Sequence, residues 1–151
     1  MLVPTAEAMQ ALGVELGRLL RAGDLVILDG PLGAGKTTLA RGIAEGLQVR
    51  GPITSPTFVI ARQHPSLVGG PGLIHVDAYR VQTWGELEDL GIGFDADTNV
   101  VVAEWAAGRM EDIADAYLTV HITRNDIDEV RDVTVVATGE RWEGEHVPAR
   151  D

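Results

Sequence analysis

The chain has 151 residues, 45% hydrophobic and 23% charged, a balance that suits a single globular domain and excludes a wholly disordered chain. It contains no cysteine, which excludes a disulfide framework, a thiolate metal site and a cysteine nucleophile. A net charge of −11 repels phosphate backbones, so direct DNA binding is not expected, and any nucleic acid involved would be held by another subunit. The same charge also serves solubility.

The opening residues, Met1-Leu2-Val3-Pro4-Thr5-Ala6-Glu7, lack the basic-then-apolar order of a secretory signal. No apolar run approaches the roughly 18 residues of a membrane span, so a cytoplasmic protein without a membrane partner is expected. Thr5 suits the N-cap of a helix running to about residue 22, with Met9, Leu12, Leu16, Leu19 and Leu20 on one face. Gly23-Asp24 ends it. Leu25-Val26-Ile27-Leu28-Asp29 reads as a buried strand, a glycine-rich loop follows, and the spacing predicts a helix over 36–47. Gly51-Pro52 breaks the chain before a strand at 57–61, and residues 64–72, rich in Gly and Pro, read as a loop.

Further along, strands are predicted at 73–77 and 100–104, with a helical piece at 84–90 between them and a short helix at 110–114 after them. Two more apolar runs, 117–122 and 130–138, are separated by a polar turn and read as a hairpin. Thr123-Arg124-Asn125-Asp126 is assigned to that turn, since it lacks the Asn and Lys of a guanine-reading motif. The predicted fold is therefore α/β: a mixed, P-loop-like sheet flanked by helices, with a C-terminal antiparallel hairpin. Residues 1–139 form the domain, and 140–151 form a polar tail expected to fray.

The chemistry concentrates in Gly30-Pro31-Leu32-Gly33-Ala34-Gly35-Lys36-Thr37-Thr38, which meets the phosphate-binding pattern at every required position and sits between a strand and a helix. Glycines let successive backbone N–H groups converge on a phosphate, and the following helix adds its own N-terminal N–H groups. Lys36 is the only lysine beside eleven arginines. A compact ammonium on a flexible stem reaches between phosphates where a planar guanidinium does not. Thr37 offers a hydroxyl to Mg²⁺. A second carboxylate is expected at the end of a neighbouring strand. Glu104 and Asp77 both qualify, Glu104 better by its apolar lead-in. Ser55-Pro56-Thr57-Phe58 follows the loop's helix, where a threonine sensing a γ-phosphate can stand; a proline turn feeding a strand is the plainer alternative. His75, beside Asp77, is not read as a base.

Together, Gly33-Ala34-Gly35-Lys36-Thr37-Thr38, Ser55-Pro56-Thr57-Phe58, His75-Val76-Asp77-Ala78-Tyr79-Arg80, Glu86-Leu87 with Leu90-Gly91, and Glu104-Trp105 resemble the bacterial TsaE (YjeE) family over roughly residues 4 to 139. The resemblance implies an ATPase that acts with two partners, TsaB and TsaD, in threonylcarbamoyl modification of the adenosine beside the anticodon in tRNA. It implies ATP and Mg²⁺ as ligands, with tRNA reached only through the partners. Gly33, Ala34, Gly35, Lys36, Thr37 and Thr38 would hold the nucleotide, bordered by Thr5 and Arg131. Thr37 and Glu104 would hold Mg²⁺, and Asp77 and Lys36 would serve hydrolysis. Thr57 would lie in a switch-like segment and Trp105 beside the site. One departure is Val130, where the family usually has Gly before the arginine matched by Arg131. Two rival readings stay open: a small-molecule P-loop kinase, although residues 63–72 carry no Arg or Lys for a phosphate lid, and a nucleotide-gated binding subunit that does not hydrolyse.

Overall fold

The computed structural model describes residues 1–31, 33–51, 53, 61–77, 97–104, 115–124 and 127–151, with Asp77 described by its backbone alone. Its centre is the apolar run Leu25–Asp29, strand β2, in parallel pairing with β5 (Asn99–Glu104) on one side and β6 (Tyr117–Arg124) on the other. Alternate residues point to opposite faces of a strand, so Val26 and Leu28 enter one core while Leu25 and Ile27 face the other side. All four are buried, as a parallel strand covered on both faces requires.

β4 (Gly72–Asp77) continues the parallel set beside β5, and β3 (Ala61–His64) turns back antiparallel along β4. On the far side β7 (Arg131–Thr138) closes the predicted hairpin with β6, and β1 (Leu2–Val3) lies antiparallel to β7. The seven-stranded order is β1-β7-β6-β2-β5-β4-β3. The mixed sheet and the hairpin are as expected. β1 was not expected, being too short to show a period. β3 starts at Ala61 where the sequence pattern ends a strand, and residues 54–60 lie outside the described residues, as do the helices predicted at 84–90 and 110–114. Thr123 and Arg124 belong to β6 and not to the turn.

Helices α1 (Ala6–Leu19) and α2 (Lys36–Leu47) cover one face. Thr5 caps α1 by accepting a bond from the Ala8 N–H at 3.0 Å. The helix ends at Leu19, earlier than expected, because the Asp24 carboxylate takes the Arg21 N–H at 2.7 Å and Gly23 turns at φ +91°. The two helices touch backbone to backbone. A methyl group at Gly13 or Gly17 would strike the Leu39 or Ile43 carbonyl, and one at Gly42 or Gly46 would strike the Gln10 or Val14 carbonyl. Partner numbers rise together along both helices, so α1 and α2 run parallel with their N-termini at the same end. Overpacking such a contact costs about 1–3 kcal/mol. Gly42→Ala is therefore expected to lower stability in denaturant titration by that amount, while Gly51→Ala, whose nearest neighbour would be 3.8 Å away, stays within about 0.5 kcal/mol.

The tail expected to fray is ordered. A 3₁₀ turn at Glu140–Trp142 leads into a segment that packs Trp142 and Val147 into the core at 1% and 3% exposure. Arg141 holds both oxygens of buried Asp24, at 3.2 and 3.1 Å, donates to the Leu19 carbonyl at 3.1 Å, and stacks 4.1 Å from the centre of the Trp142 ring. A single tryptophan in a charged stretch gives no periodic signal, yet it carries enough apolar area to order its neighbours. Trp142→Ala is expected to destabilise by about 3–5 kcal/mol, read from the midpoint of cooperative unfolding.

His64, expected to begin a loop, instead ends β3. Its Nδ1 bonds the Arg50 carbonyl oxygen at 3.0 Å, while its Nε2 is buried without a partner among the described residues. Burial pushes its imidazole below the usual 6.5, and the bond to Arg50 opposes this only in part. The folded chain then binds fewer protons at this site than the unfolded chain. This contribution is whole above pH 6.5 and falls away as pH drops through 6.5 toward the lowered value. Stability measured from pH 7.5 down to 5 should decline with a slope that His64→Gln reduces.

Candidate functional site

β2 delivers the chain to Gly30 at the edge of the sheet, where a side chain would press 2.8 Å from the Ile122 carbonyl oxygen. Gly33 and Gly35 then take positive φ of +77° and +108°, a region L side chains rarely adopt, and Gly35 is the N-cap of α2. Having no side chain, it makes no capping bond, so the first N–H groups of α2 face the loop they close. Lys36 is buried at 6% exposure, and its Nζ donates to the carbonyls of Gly30 and, at 3.3 Å, Pro31. The loop's own backbone thus holds the ammonium at its mouth. Thr37 and Thr38, on the first turn of α2, are half-buried.

Because α1 runs parallel to α2, its capped start stands beside the loop. A cavity of about 250 Å³ opens between them, lined by Thr5, Ala6, Met9, Gly33, Ala34, Gly35, Thr38, Glu129 and Arg131. Thr5 and Arg131, far apart in sequence, therefore meet the glycine loop in one space. Ala6, Met9 and Glu129 were not anticipated. Met9 could have been suspected: it belongs to the apolar face of α1, and its Cε would lie 3.2 Å from a Cβ at Gly35. On the loop's surface, the Arg124 Nη1 lies 3.0 Å from where a Cβ at Gly33 would be. Reading residues 123–126 as a turn concealed this arginine.

Glu104 ends β5 in register with Leu28 on one side and Asp77 on the other, so both predicted carboxylate positions adjoin at the strand ends. The Glu104 carboxylate is 3% exposed and accepts a 2.7 Å bond from His75 Nε2, whose ring is fully buried. A second pair, His121 Nδ1 and Asp29 Oδ2 at 2.9 Å, is nearly half exposed on the opposite face. Among the described residues no three His, Cys, Asp or Glu side chains cluster as a self-sufficient metal site. Glu104 and Thr37 offer hard oxygen donors, which fit a Mg²⁺ ion held by one or two protein oxygens and completed by phosphate oxygens. Thr57 and Trp105 lie outside the described residues.

The family model described as Threonylcarbamoyl adenosine biosynthesis protein TsaE matches residues 3–133. The chain belongs to the TsaE family. A relative in Streptomyces coelicolor, a tRNA threonylcarbamoyladenosine biosynthesis protein TsaE by name, is 55% identical, the match covering 89% of this chain and 93% of the relative. Likewise named relatives from Mycobacterium tuberculosis and Bacillus subtilis are 46% and 36% identical, covering 81% and 91% of this chain and 77% and 84% of theirs. A crystal structure of Bacillus subtilis YdiB superposes with a TM-score of 0.72 at 31% identity, covering 95% of this chain and 87% of that one. The family match spans the glycine loop, His75 and Glu104 but stops before the tail that Trp142 anchors. No helix among the described residues is long and apolar enough to cross a membrane.

Proposed function

We propose that this TsaE-family chain is a Mg²⁺-dependent ATP-binding protein with weak, partner-stimulated ATPase activity, serving threonylcarbamoyl modification of the adenosine beside the anticodon in tRNA. The observation that carries this reading is the buried Lys36 inside a glycine loop that opens onto a cavity shared with Thr5 and Arg131. The names of the relatives supply the tRNA modification.

In this reading the N–H groups of residues 33–38 and the Lys36 ammonium bind the phosphates, with Thr5 and Arg131 bordering the nucleotide. Thr37 and Glu104 hold Mg²⁺, which when bound neutralises developing charge on the phosphates. Asp77, in backbone register with Glu104, serves the attacking water. Thr57 belongs to a segment that senses the γ-phosphate, and Trp105 stands beside the site. TsaB and TsaD are the partners and hold the tRNA, which suits a chain of charge −11 working in the cytoplasm.

Calorimetry with ATP, ADP and GTP tests the nucleotide site, and phosphate release with and without the partner pair tests the activity. ATP should bind at least about tenfold tighter than GTP, a difference of about 1.4 kcal/mol. Lys36→Ala should cost about 2–5 kcal/mol of ATP affinity while cooperative unfolding persists. Undiminished ATP binding by this variant, or phosphate release that the partners leave unchanged, would overturn the proposal.

A further inference from the structure

The parallel register of β4 and β5 sets His75 opposite Val102, so Glu104, two residues on, shares its face of the sheet. Leu73, Val100 and Val102 occupy that same face, in the core beneath the helices. His75 is 0% exposed and spends Nε2 on the Glu104 Oε2 at 2.7 Å. An ionised carboxylate only accepts, so Nε2 is the donor. The other ring nitrogen, Nδ1, has no hydrogen-bond partner among the described residues.

A buried orphan nitrogen is a cost that an apolar side chain of similar volume would avoid. The bond to Glu104, the ring's one polar bond among the described residues, therefore accounts for a histidine at this position. That bond ties down one carboxylate oxygen and leaves Oε1 as the second acceptor. A buried ring in a parallel sheet cannot swing away, so it restrains the carboxylate oxygen it bonds.

We propose that His75 is a positioning residue: it orients Glu104 so that one carboxylate oxygen is presented to the nucleotide-bound Mg²⁺. This inference rests on Glu104 being the metal's ligand. Partners of this kind around metal ligands typically change metal affinity 10–100-fold when removed. His75 would therefore govern the affinity for the metal and not the affinity for the nucleotide itself.

The test is titration of Mg²⁺ into the full chain saturated with ADP, followed by calorimetry, together with ADP binding in the presence of a chelator. His75→Leu, which keeps the volume and removes the donor, should lower Mg²⁺ affinity about 10–100-fold and leave chelator-condition ADP affinity unchanged. His75→Gln, whose amide nitrogen reaches the position of Nε2, should recover most of the loss. In a Glu104→Gln background His75→Leu should add nothing further, whereas a purely structural role would cost as much there as in the native chain. If the Leu variant fails to unfold cooperatively, His75→Gln is compared with His75→Asn, whose amide reaches only the Nδ1 position; Gln should retain Mg²⁺ affinity and Asn lose it. Unchanged affinity in His75→Leu, or an equal cost in both backgrounds, overturns the positioning role while weakened binding by Glu104→Gln preserves the metal ligand. Unchanged Mg²⁺ affinity in Glu104→Gln itself overturns both.

Discussion

Between α1 and α2 there are no side chains at the points of closest approach: Gly13 lies on Gly42 and Gly17 on Gly46, near enough that a single methyl group would meet a carbonyl oxygen. Much else depends on that contact. It sets the two helices parallel and side by side over β2, and so brings the Thr5 cap of α1 to the loop that starts α2. Had the helices been held apart by larger residues, Thr5, Ala6 and Met9 would stand back from Gly33 and Gly35, and the cavity between them would lose a wall. The same contact lets Met9 rest against Gly35, where its flexible thioether fills the space left by the missing side chain. Helix packing and the shape of the cavity are thus one geometric problem with one solution.

The carboxylates at this edge of the sheet are held in two ways. Glu104 lies in the interior, with a buried imidazole as partner; Asp29 stands nearly half in solvent beside an equally exposed His121. Water screens the second pair, which can rearrange at little cost. The first pair can do neither, because a buried carboxylate deprived of its donor has no water to turn to. The alternation of the strands places these pairs on opposite faces, so the rigid one shares the face of the P-loop helix. A buried cation, Lys36, and a buried anion, Glu104, are therefore both fixed by backbone or ring geometry at the end of the same sheet.

The glycine loop was legible because its chemistry demands particular residue types at fixed spacing, and its flanking strand and helix have clear periods. The hairpin and the mixed sheet followed from apolar runs separated by a turn. What could not be read was whatever depended on contacts distant in sequence. The end of α1 is decided by Asp24, whose carboxylate is itself held by Arg141 more than a hundred residues away. The tail looked polar by composition, although Trp142 and Val147 are buried in the core. His75 looked like a neighbour of Asp77, and only the pairing of β4 with β5 reveals its bond to Glu104. Arg124 was hidden by its assignment to a turn, whereas it is the last residue of β6.

The outer edge of β7 is shared by residues from both extremes of the sequence. The Met1 nitrogen bonds the Val133 carbonyl at 3.0 Å and Val3 pairs with Arg131, while the Val135 N–H bonds Ala149 and the Asp151 N–H returns to the Val135 carbonyl, each at 2.9 Å. Strand edges left open invite pairing with other chains, and here successive stretches of one edge are covered by segments more than a hundred residues apart. The strand at Leu2–Val3 can pair only once β7 exists, and the cover over Val135 forms only once residues 149–151 do. Contacts of such separation slow folding, because the loop they close must lose its freedom before the contact is made. During that interval the uncovered edge of β7 is open to pairing with other strands.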